Sequence, residues 1–167
     1  MEASHRALSS VLEADLLERI RELSPAFFEA LIVDLLIAMG YGGGREEMGS
    51  AIGHPGDGGI DGIIKEDPLG LDIVYMQAKR YAEGNSVGRR EIQGFAGSLD
   101  GVRATKGIFV TTSTFSAGAR EYAAMIAKRI ILIDGAELAR LMIRHNVGVR
   151  TRTVYEIKKV DEDYFTE

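Results

Sequence analysis

Length, composition and charge narrow the class of protein to which this chain can belong. The chain has 167 residues, 46% of them hydrophobic and 27% charged, with a formal net charge of −5 and no cysteine. This size and apolar content suit one globular domain with a substantial core. The lack of cysteine excludes disulfides, thiolate nucleophiles and cysteine-ligated zinc, and is compatible with a reducing cytoplasm. No apolar run approaches the roughly 20 residues that span a bilayer, and the amino terminus lacks a signal-peptide pattern, so we expect a cytoplasmic protein with no membrane partner.

The first part of the chain predicts two helices. An amphipathic stretch from about Leu8 to Leu23 predicts a helical extension over residues 1–24. For the second helix, Ser24 is a suitable N-cap, Pro25 suits the first turn, and Gly40 follows as a stop. That second helix is apolar almost all round, so we expect it to be largely buried.

One carboxylate lies on the face of the second helix that should be buried. Glu29 shares this face, at helical spacing, with Ile32 and Leu36. Asp34 falls on a different side of the helix. A buried carboxylate is costly unless it is paired or bound to a metal, so Glu29 is a candidate site residue.

Three strand-like segments follow. We expect a first strand within residues 45–54, a second over 59–64, and a third over 71–79. The turn-like residues 65–70 would join the second and third segments into a hairpin. The side-chain alternation of a strand places Gln77 on the same face as Lys79, and this face should begin in the core at Leu71 and Ile73.

The hairpin would set Asp61 beside Gln77 and Lys79, and these three residue types suit phosphodiester hydrolysis. Mg²⁺ requires oxygen ligands, which the Asp61 carboxylate and the Gln77 carbonyl can supply. Such an ion polarises a phosphate and lowers the pKa of a bound water, while Lys79 would orient the water or neutralise developing charge. Asp57 could be a further metal ligand, although an aspartate before two glycines more often forms a turn.

The distribution of charge suits a nucleic-acid partner better than the net charge does. Residues 1–78 contain 5 Lys and Arg against 14 Asp and Glu, whereas residues 79–150 contain 12 against 6. Basic residues follow the expected site closely, where they could meet phosphates. They are Lys79, Arg80, Arg89, Arg90, Arg103 and Lys106. Each could equally be a solvated surface charge.

The rest of the chain predicts helices and strands that support the site. We expect a helix over 88–99, a strand over 107–111, a helix over 116–128, a buried strand over 130–133, a helix over 136–145, and a last strand over 151–159 before an acidic tail. Thr111 and Thr112 follow the buried strand, so their hydroxyls could bind phosphate or could cap the next helix.

Several motifs occur in an order that resembles the catalytic domain of the Mrr restriction endonuclease family, within the PD-(D/E)xK nuclease superfamily. The resemblance covers roughly residues 25–143. The motifs are Phe28-Glu29-Ala30-Leu31, Gly40-Tyr41, Gly56-Asp57-Gly58-Gly59-Ile60-Asp61, Gln77-Ala78-Lys79-Arg80-Tyr81, Lys106-Gly107-Ile108-Phe109-Val110-Thr111-Thr112 and Ile133-Asp134-Gly135-Ala136-Glu137-Leu138. Ile60 stands where the strict motif has proline.

The resemblance implies both a fold and an activity. The fold would be α/β, a restriction-endonuclease-like core with a mixed central sheet flanked by helices in αβββαβ order. The activity would be a Mg²⁺- or Mn²⁺-dependent endonuclease that restricts foreign or modified DNA, with a glutamine replacing the second acid in a Q-x-K motif. The implied site is Glu29, Asp61, Gln77 and Lys79, with Arg80, Arg89, Arg90, Thr111 and Thr112 as candidate DNA contacts.

The domain organisation and the substrate leave alternatives open. We divide the chain into the extension 1–24, a nuclease domain 25–145, and a strand and acidic tail 146–167 that packs on or extends the domain. The alternative activities are a repair or recombination nuclease on branched or single-stranded DNA, and a catalytically silent DNA-binding module. Family members often carry a separate recognition domain, so the chain acts alone, with another protein, or as part of a longer one. A homodimer is compatible with one site cutting one strand, but no residue specifies it.

Overall fold

A five-stranded mixed sheet lies at the centre of the molecule. The computed structural model describes residues 2–44, 49–51 and 59–166. The helices are α1 Glu2–Glu22, α2 Pro25–Ala38, α3 Arg89–Gly101, α4 Ala117–Met125 and α5 Gly135–Arg144. The strands are β1 Gly49–Ala51, β2 Gly62–Lys65, β3 Ile73–Lys79, β4 Lys106–Thr111 and β5 Arg129–Ile133. None of the helices in the described ranges is long and apolar enough to cross a membrane.

The strands lie in chain order across the sheet. β1 pairs antiparallel with β2, and β2 pairs antiparallel with β3, whereas β3, β4 and β5 run parallel. The series from α2 through β1, β2, β3 and α3 to β4 has the expected αβββαβ order, so the predicted mixed α/β core is confirmed. Because β3, β4 and β5 are parallel, their carboxyl ends lie at the same end of the sheet.

Apolar clusters cover both faces of this sheet. One cluster joins α1, α2 and α5 to the face that carries Val74 and Met76. The other lies under α3 and α4 and includes Phe95, Phe109 and Phe115 in edge-to-face contact. Polar groups at the end of β3 therefore lie between two packed layers, where charge is poorly solvated.

The α2 helix forms as its sequence predicts. The Ser24 hydroxyl accepts a hydrogen bond from the Phe27 backbone N–H at 3.1 Å, and Gly40 takes a left-handed conformation with φ of +102° just beyond the helix. Such caps satisfy backbone groups that a helix end leaves free. Most of the apolar side chains of α2 are buried, whereas Asp34 is exposed.

Three details of the strands differ from expectation. Asp61 precedes β2, which begins at Gly62, and Leu71 lies before β3 with 82% of its surface exposed. The core therefore does not extend to Leu71. β5 is at an edge of the sheet, and its Ile131 is 50% exposed, so the expectation of a buried strand is wrong there. The described part of the expected first strand is β1. The remaining residues of 45–54, and Asp57, lie outside the described residues.

The expected last strand is absent from the described residues. Residues 151–161 are irregular and are followed by one short 3₁₀ turn, Glu162–Phe165. All of residues 150–166 are exposed. A strand needs a partner for its backbone groups, and the sheet of the described residues ends at β5. Residues 151–159 are therefore not a strand, whereas Val147 and Val149, at the start of the expected segment 146–167, pack against the core.

This exposure predicts that the tail contributes little to stability. Truncation after residue 150 should change the free energy of unfolding by less than about 0.5 kcal/mol, because exposed residues without partners rarely contribute more. Urea denaturation followed by circular dichroism measures the change. Truncation after residue 134 is the contrasting control, since it removes α5 with the buried side chains of Leu138 and Met142 and should prevent folding. A large loss from the shorter deletion would show that the tail packs on the domain.

Candidate active site

Two backbone contacts fix Asp61 against β3. The Asp61 N–H donates to the Met76 carbonyl oxygen at 2.9 Å, and the Asp61 Oδ2 accepts from the Ala78 N–H at 2.8 Å. Asp61 lies one residue before the Gly62–Met76 pair of the ladder and therefore stands opposite Gln77. The hairpin thus brings Asp61 to the strand segment that carries Gln77 and Lys79, as predicted.

The Gln77 side chain is held by the turn that leads into β2. Gln77 is 8% exposed, and Gly59 approaches it so closely that a Cβ at position 59 would lie 2.7 Å from the Gln77 Nε2. Gly59 also has a φ of +94°, which favours glycine. The glycine two residues before Asp61 therefore gives space to the amide of Gln77.

Electrostatic interactions connect Asp61 to Lys79. Burial raises the pKa of the Asp61 carboxyl above its usual range, while the hydrogen bond from Ala78 and the charge of Lys79 oppose this shift. Lys79 is half-buried at the carboxyl end of β3. The ammonium of Lys79 therefore favours the charged form of the partly buried Asp61 carboxylate.

Glu29 joins this cluster from α2. Burial and the negative charge of Asp61 raise the pKa of Glu29, and the charge of Lys79 lowers it. Glu29 is half-buried, so the expectation of a fully buried carboxylate is only partly met. The tertiary structure nevertheless brings Glu29, Asp61 and Lys79 within electrostatic reach of one another.

Thr111 and Thr112 have a structural role that the sequence did not reveal. The Thr111 hydroxyl donates to the Lys79 carbonyl oxygen at 2.9 Å. The Thr112 hydroxyl donates to the Tyr81 carbonyl oxygen at 2.7 Å and accepts from the Tyr81 N–H at 2.9 Å. Both threonines are fully buried, and the next helix is capped by Ser116. The two hydroxyls hold the end of β3 in place.

A second contact joins the same segment to α3. The Tyr81 hydroxyl donates a short hydrogen bond to the Glu91 carboxylate, which raises the pKa of Tyr81 to about 12. The other Glu91 oxygen accepts from the Gly88 N–H at 2.9 Å, at the start of α3. The segment after Lys79 is therefore tied to the helix that begins with Arg89 and Arg90.

The candidate basic residues divide between the two ends of the sheet. Arg80, Arg89 and Arg90 lie at the end where β3 terminates and α3 begins. Lys106 starts the parallel strand β4 at the opposite end, where its ammonium contacts Glu66 and Asp72 at 3.1 Å each. Arg103 precedes Lys106 and lies at that end too. The expectation that Arg103 and Lys106 cluster beside the site is therefore wrong, because parallel pairing separates them from Lys79.

The donor atoms of the site suit a hard divalent cation. The described residues contain no group of three His, Cys, Asp or Glu that could hold a metal. An ion would instead use the Asp61 carboxylate and the Gln77 amide oxygen, with Glu29 direct or through water, as Mg²⁺ readily does with few protein ligands. The raised pKa values of Asp61 and Glu29 fit this assignment, since burial penalises both carboxylates, Asp61 adds repulsion at Glu29, and a cation would offset these costs.

Removal of one negative charge should stabilise the metal-free protein. Asp61→Asn keeps an acceptor for the Ala78 N–H and removes a carboxylate whose pKa is raised, so we expect a gain of roughly 0.5 to 1 kcal/mol in the free energy of unfolding at pH 7. A raised pKa means that the charged form costs stability. The gain should therefore shrink as the pH falls and the wild-type carboxyl becomes protonated.

Urea denaturation with EDTA at pH 7 and at pH 4 measures this change. Asp34→Asn is the matched control, since Asp34 is exposed on α2 and its replacement should leave stability unchanged. A loss of stability in Asp61→Asn at pH 7 would contradict the electrostatic account.

The chain is similar in sequence to a known restriction enzyme. The chain is 43% identical over 160 residues to the type IV methyl-directed restriction enzyme EcoKMrr of Escherichia coli K12, a match that covers 96% of this chain and 51% of the relative. The chain thus spans about half the length of this curated relative.

Two solved structures share the fold. The DNA modification-dependent restriction endonuclease AspBHI superimposes with a TM-score of 0.66 at 24% identity, over 83% of this chain and 36% of its own. The MspJI restriction endonuclease, solved in complex with a 27-mer oligonucleotide, gives a TM-score of 0.60 at 24% identity, over 81% of this chain and 32% of its own.

A family of known proteins matches most of the chain. The Mrr catalytic-domain family, described as restriction endonuclease, matches residues 20–142. This range includes all four residues of the candidate site. The chain therefore belongs to the Mrr catalytic-domain family of restriction endonucleases.

Proposed function

We propose that this chain is a Mg²⁺- or Mn²⁺-dependent endonuclease that hydrolyses DNA phosphodiester bonds. The observation that carries the proposal is the convergence of Glu29, Asp61 and Lys79 at the point where Gln77 is buried at the end of β3. Membership of a restriction endonuclease family supports the same chemistry.

Each residue of the site has a distinct role in this proposal. A bound divalent ion supplies Lewis acidity for the phosphate and for a water molecule. The Asp61 carboxylate and the amide oxygen of Gln77 would hold the ion, and Glu29 would join directly or through water. The ammonium of Lys79 orients the attacking water or balances the charge that develops on the phosphate. The Ala78 N–H keeps Asp61 aligned throughout.

The printed names of two similar proteins support a substrate class. EcoKMrr is named as methyl-directed and AspBHI as modification-dependent, so we propose that this chain restricts foreign or modified DNA. Recognition of the modification would fall to another domain or subunit, since the chain matches about half of EcoKMrr. Because one site cuts one strand, a double-strand break needs two copies of the chain, as in a homodimer. The candidate DNA contacts are Arg80, Arg89 and Arg90.

Substitution of the site residues should abolish cleavage without unfolding the protein. Lys79→Ala and Asp61→Ala should each reduce the rate of plasmid cleavage in Mg²⁺ by at least about 100-fold, the usual cost of losing one group that stabilises the transition state. Glu29→Gln should reduce it too. Matched controls are Lys65→Ala and Asp34→Asn, since both residues are exposed on neighbouring elements. Wild-type rates in folded Lys79→Ala or Asp61→Ala would exclude this mechanism.

A panel of DNA substrates tests the substrate class. We expect Mg²⁺-dependent cleavage of duplex DNA at similar rates with and without methylation for this chain alone, because recognition of the modification is proposed to lie in another domain or subunit. Branched and single-stranded substrates belong in the same assay. Preference for them would favour a repair or recombination nuclease, and binding without cleavage on every substrate would favour a silent DNA-binding module.

A further inference from the structure

Two arginines from distant parts of the chain lie together beside the candidate site. The Arg80 Nη1 donates to the carbonyl oxygen of Arg21, near the end of α1. The Arg21 Nη2 donates to the Thr112 carbonyl oxygen at 2.9 Å. Arg80 directly follows Lys79 at the end of β3, and Thr112 directly follows β4. These contacts bring the carboxyl end of α1 to the edge of the sheet where the catalytic residues lie.

Neither arginine has the partner that a partly buried cation normally has. Within the described ranges, no carboxylate forms an ion pair with Arg21 or Arg80. The Nε atoms of both are buried, and neither has a hydrogen-bond partner among the described residues. Unpaired buried donors cost free energy, and a partly buried cation without an anionic partner costs more.

The contacts within the protein explain only part of this arrangement. The guanidinium of Arg80 lies against a carbonyl at the end of α1, where positive charge is favourable. This contact stabilises the charge of Arg80 and satisfies one of its N–H donors. It does not account for the second guanidinium, whose Nη2 bonds the Thr112 carbonyl oxygen. Both side chains are half-buried, so each retains some access to the surface.

We propose that Arg21 and Arg80 together bind one backbone phosphate of the DNA next to the phosphate that is cut. The proposal rests on the proposed nuclease function and extends it to α1, outside the motifs of the site. A planar guanidinium with parallel N–H donors matches the oxygens of a phosphate, and two guanidinium groups can share one phosphate. The bound phosphate would supply the negative charge that the pair lacks. Its position beside Lys79 would set the DNA strand in register with the site.

DNA binding without cleavage tests this pair. The Asp61→Asn protein is titrated into a fluorescent duplex with EDTA at several salt concentrations. Arg21→Gln and Arg80→Gln in this background should each weaken binding about tenfold at roughly 0.1 M salt and lower the slope of log K against log salt by about one phosphate contact. The double variant should lose no more affinity for DNA than the more strongly affected single variant, because both arginines hold the same phosphate. Arg19→Gln is the matched control on the same helix, since Arg19 is exposed and pairs with Asp15. It should leave the affinity unchanged.

The outcomes separate this inference from the proposed function. Unchanged affinity and slope in a folded Arg21→Gln protein would overturn the pair as a phosphate site, even if the wild type cleaves DNA. Additive losses in the double variant would overturn the shared site. If the wild type fails to cleave DNA but binds it with the predicted dependence on Arg21 and Arg80, the nuclease function fails and the phosphate site stands. Unfolding measurements on each variant exclude a loss of structure as the cause.

Discussion

The hydrogen bonds between Asp61 and β3 are the constraint on which the rest of the site depends. Asp61 donates to Met76 and accepts from Ala78, so its carboxylate is fixed in the register of the hairpin. A slip of one residue would turn Gln77 and Lys79 to the other face of the sheet, because side chains alternate along a strand. Gly59 supports the same register, since a side chain at this position would collide with the Gln77 amide. Local hydrogen bonds therefore set the relative positions of three site residues.

The end of β3 is held in place by three further elements of the chain. The hydroxyls of Thr111 and Thr112 bind the backbone on either side of Arg80, and Glu91 binds the Tyr81 hydroxyl from α3. Arg80 itself binds the end of α1. Buried hydrogen bonds of this kind are costly to break, so they hold the backbone of a charged residue such as Lys79 without contact to its side chain. A nuclease that needs an accurately placed ammonium benefits from this arrangement.

Charged side chains that folding does not require lie close together near the carboxyl end of β3. Glu29 and Asp61 repel each other, which contributes to the raised pKa of Glu29, and Arg21 lies against Arg80 without a carboxylate partner in the described ranges. Each cluster costs stability in the free protein, as functional sites commonly do. The carboxylates suit a cation and the arginines suit an anion, so metal and DNA phosphate together would balance both. The family membership of the chain is consistent with such a pair of ligands.

The elements that follow from sequence alone are those whose pattern is local. Helical and strand periodicity, caps and turns predicted α2, the hairpin and the αβββαβ order, and the order of the motifs indicated the family. Local pattern also placed Asp61, Gln77 and Lys79 together, because one hairpin carries all three. The packing of distant elements was needed to bring Glu29 to them, to put Lys106 at the far end of the sheet, and to leave residues 151–159 without a strand partner. It also brought Arg21 to Thr112, 91 residues away in the chain. Such contacts depend on how whole elements pack, and no spacing within a segment encodes them.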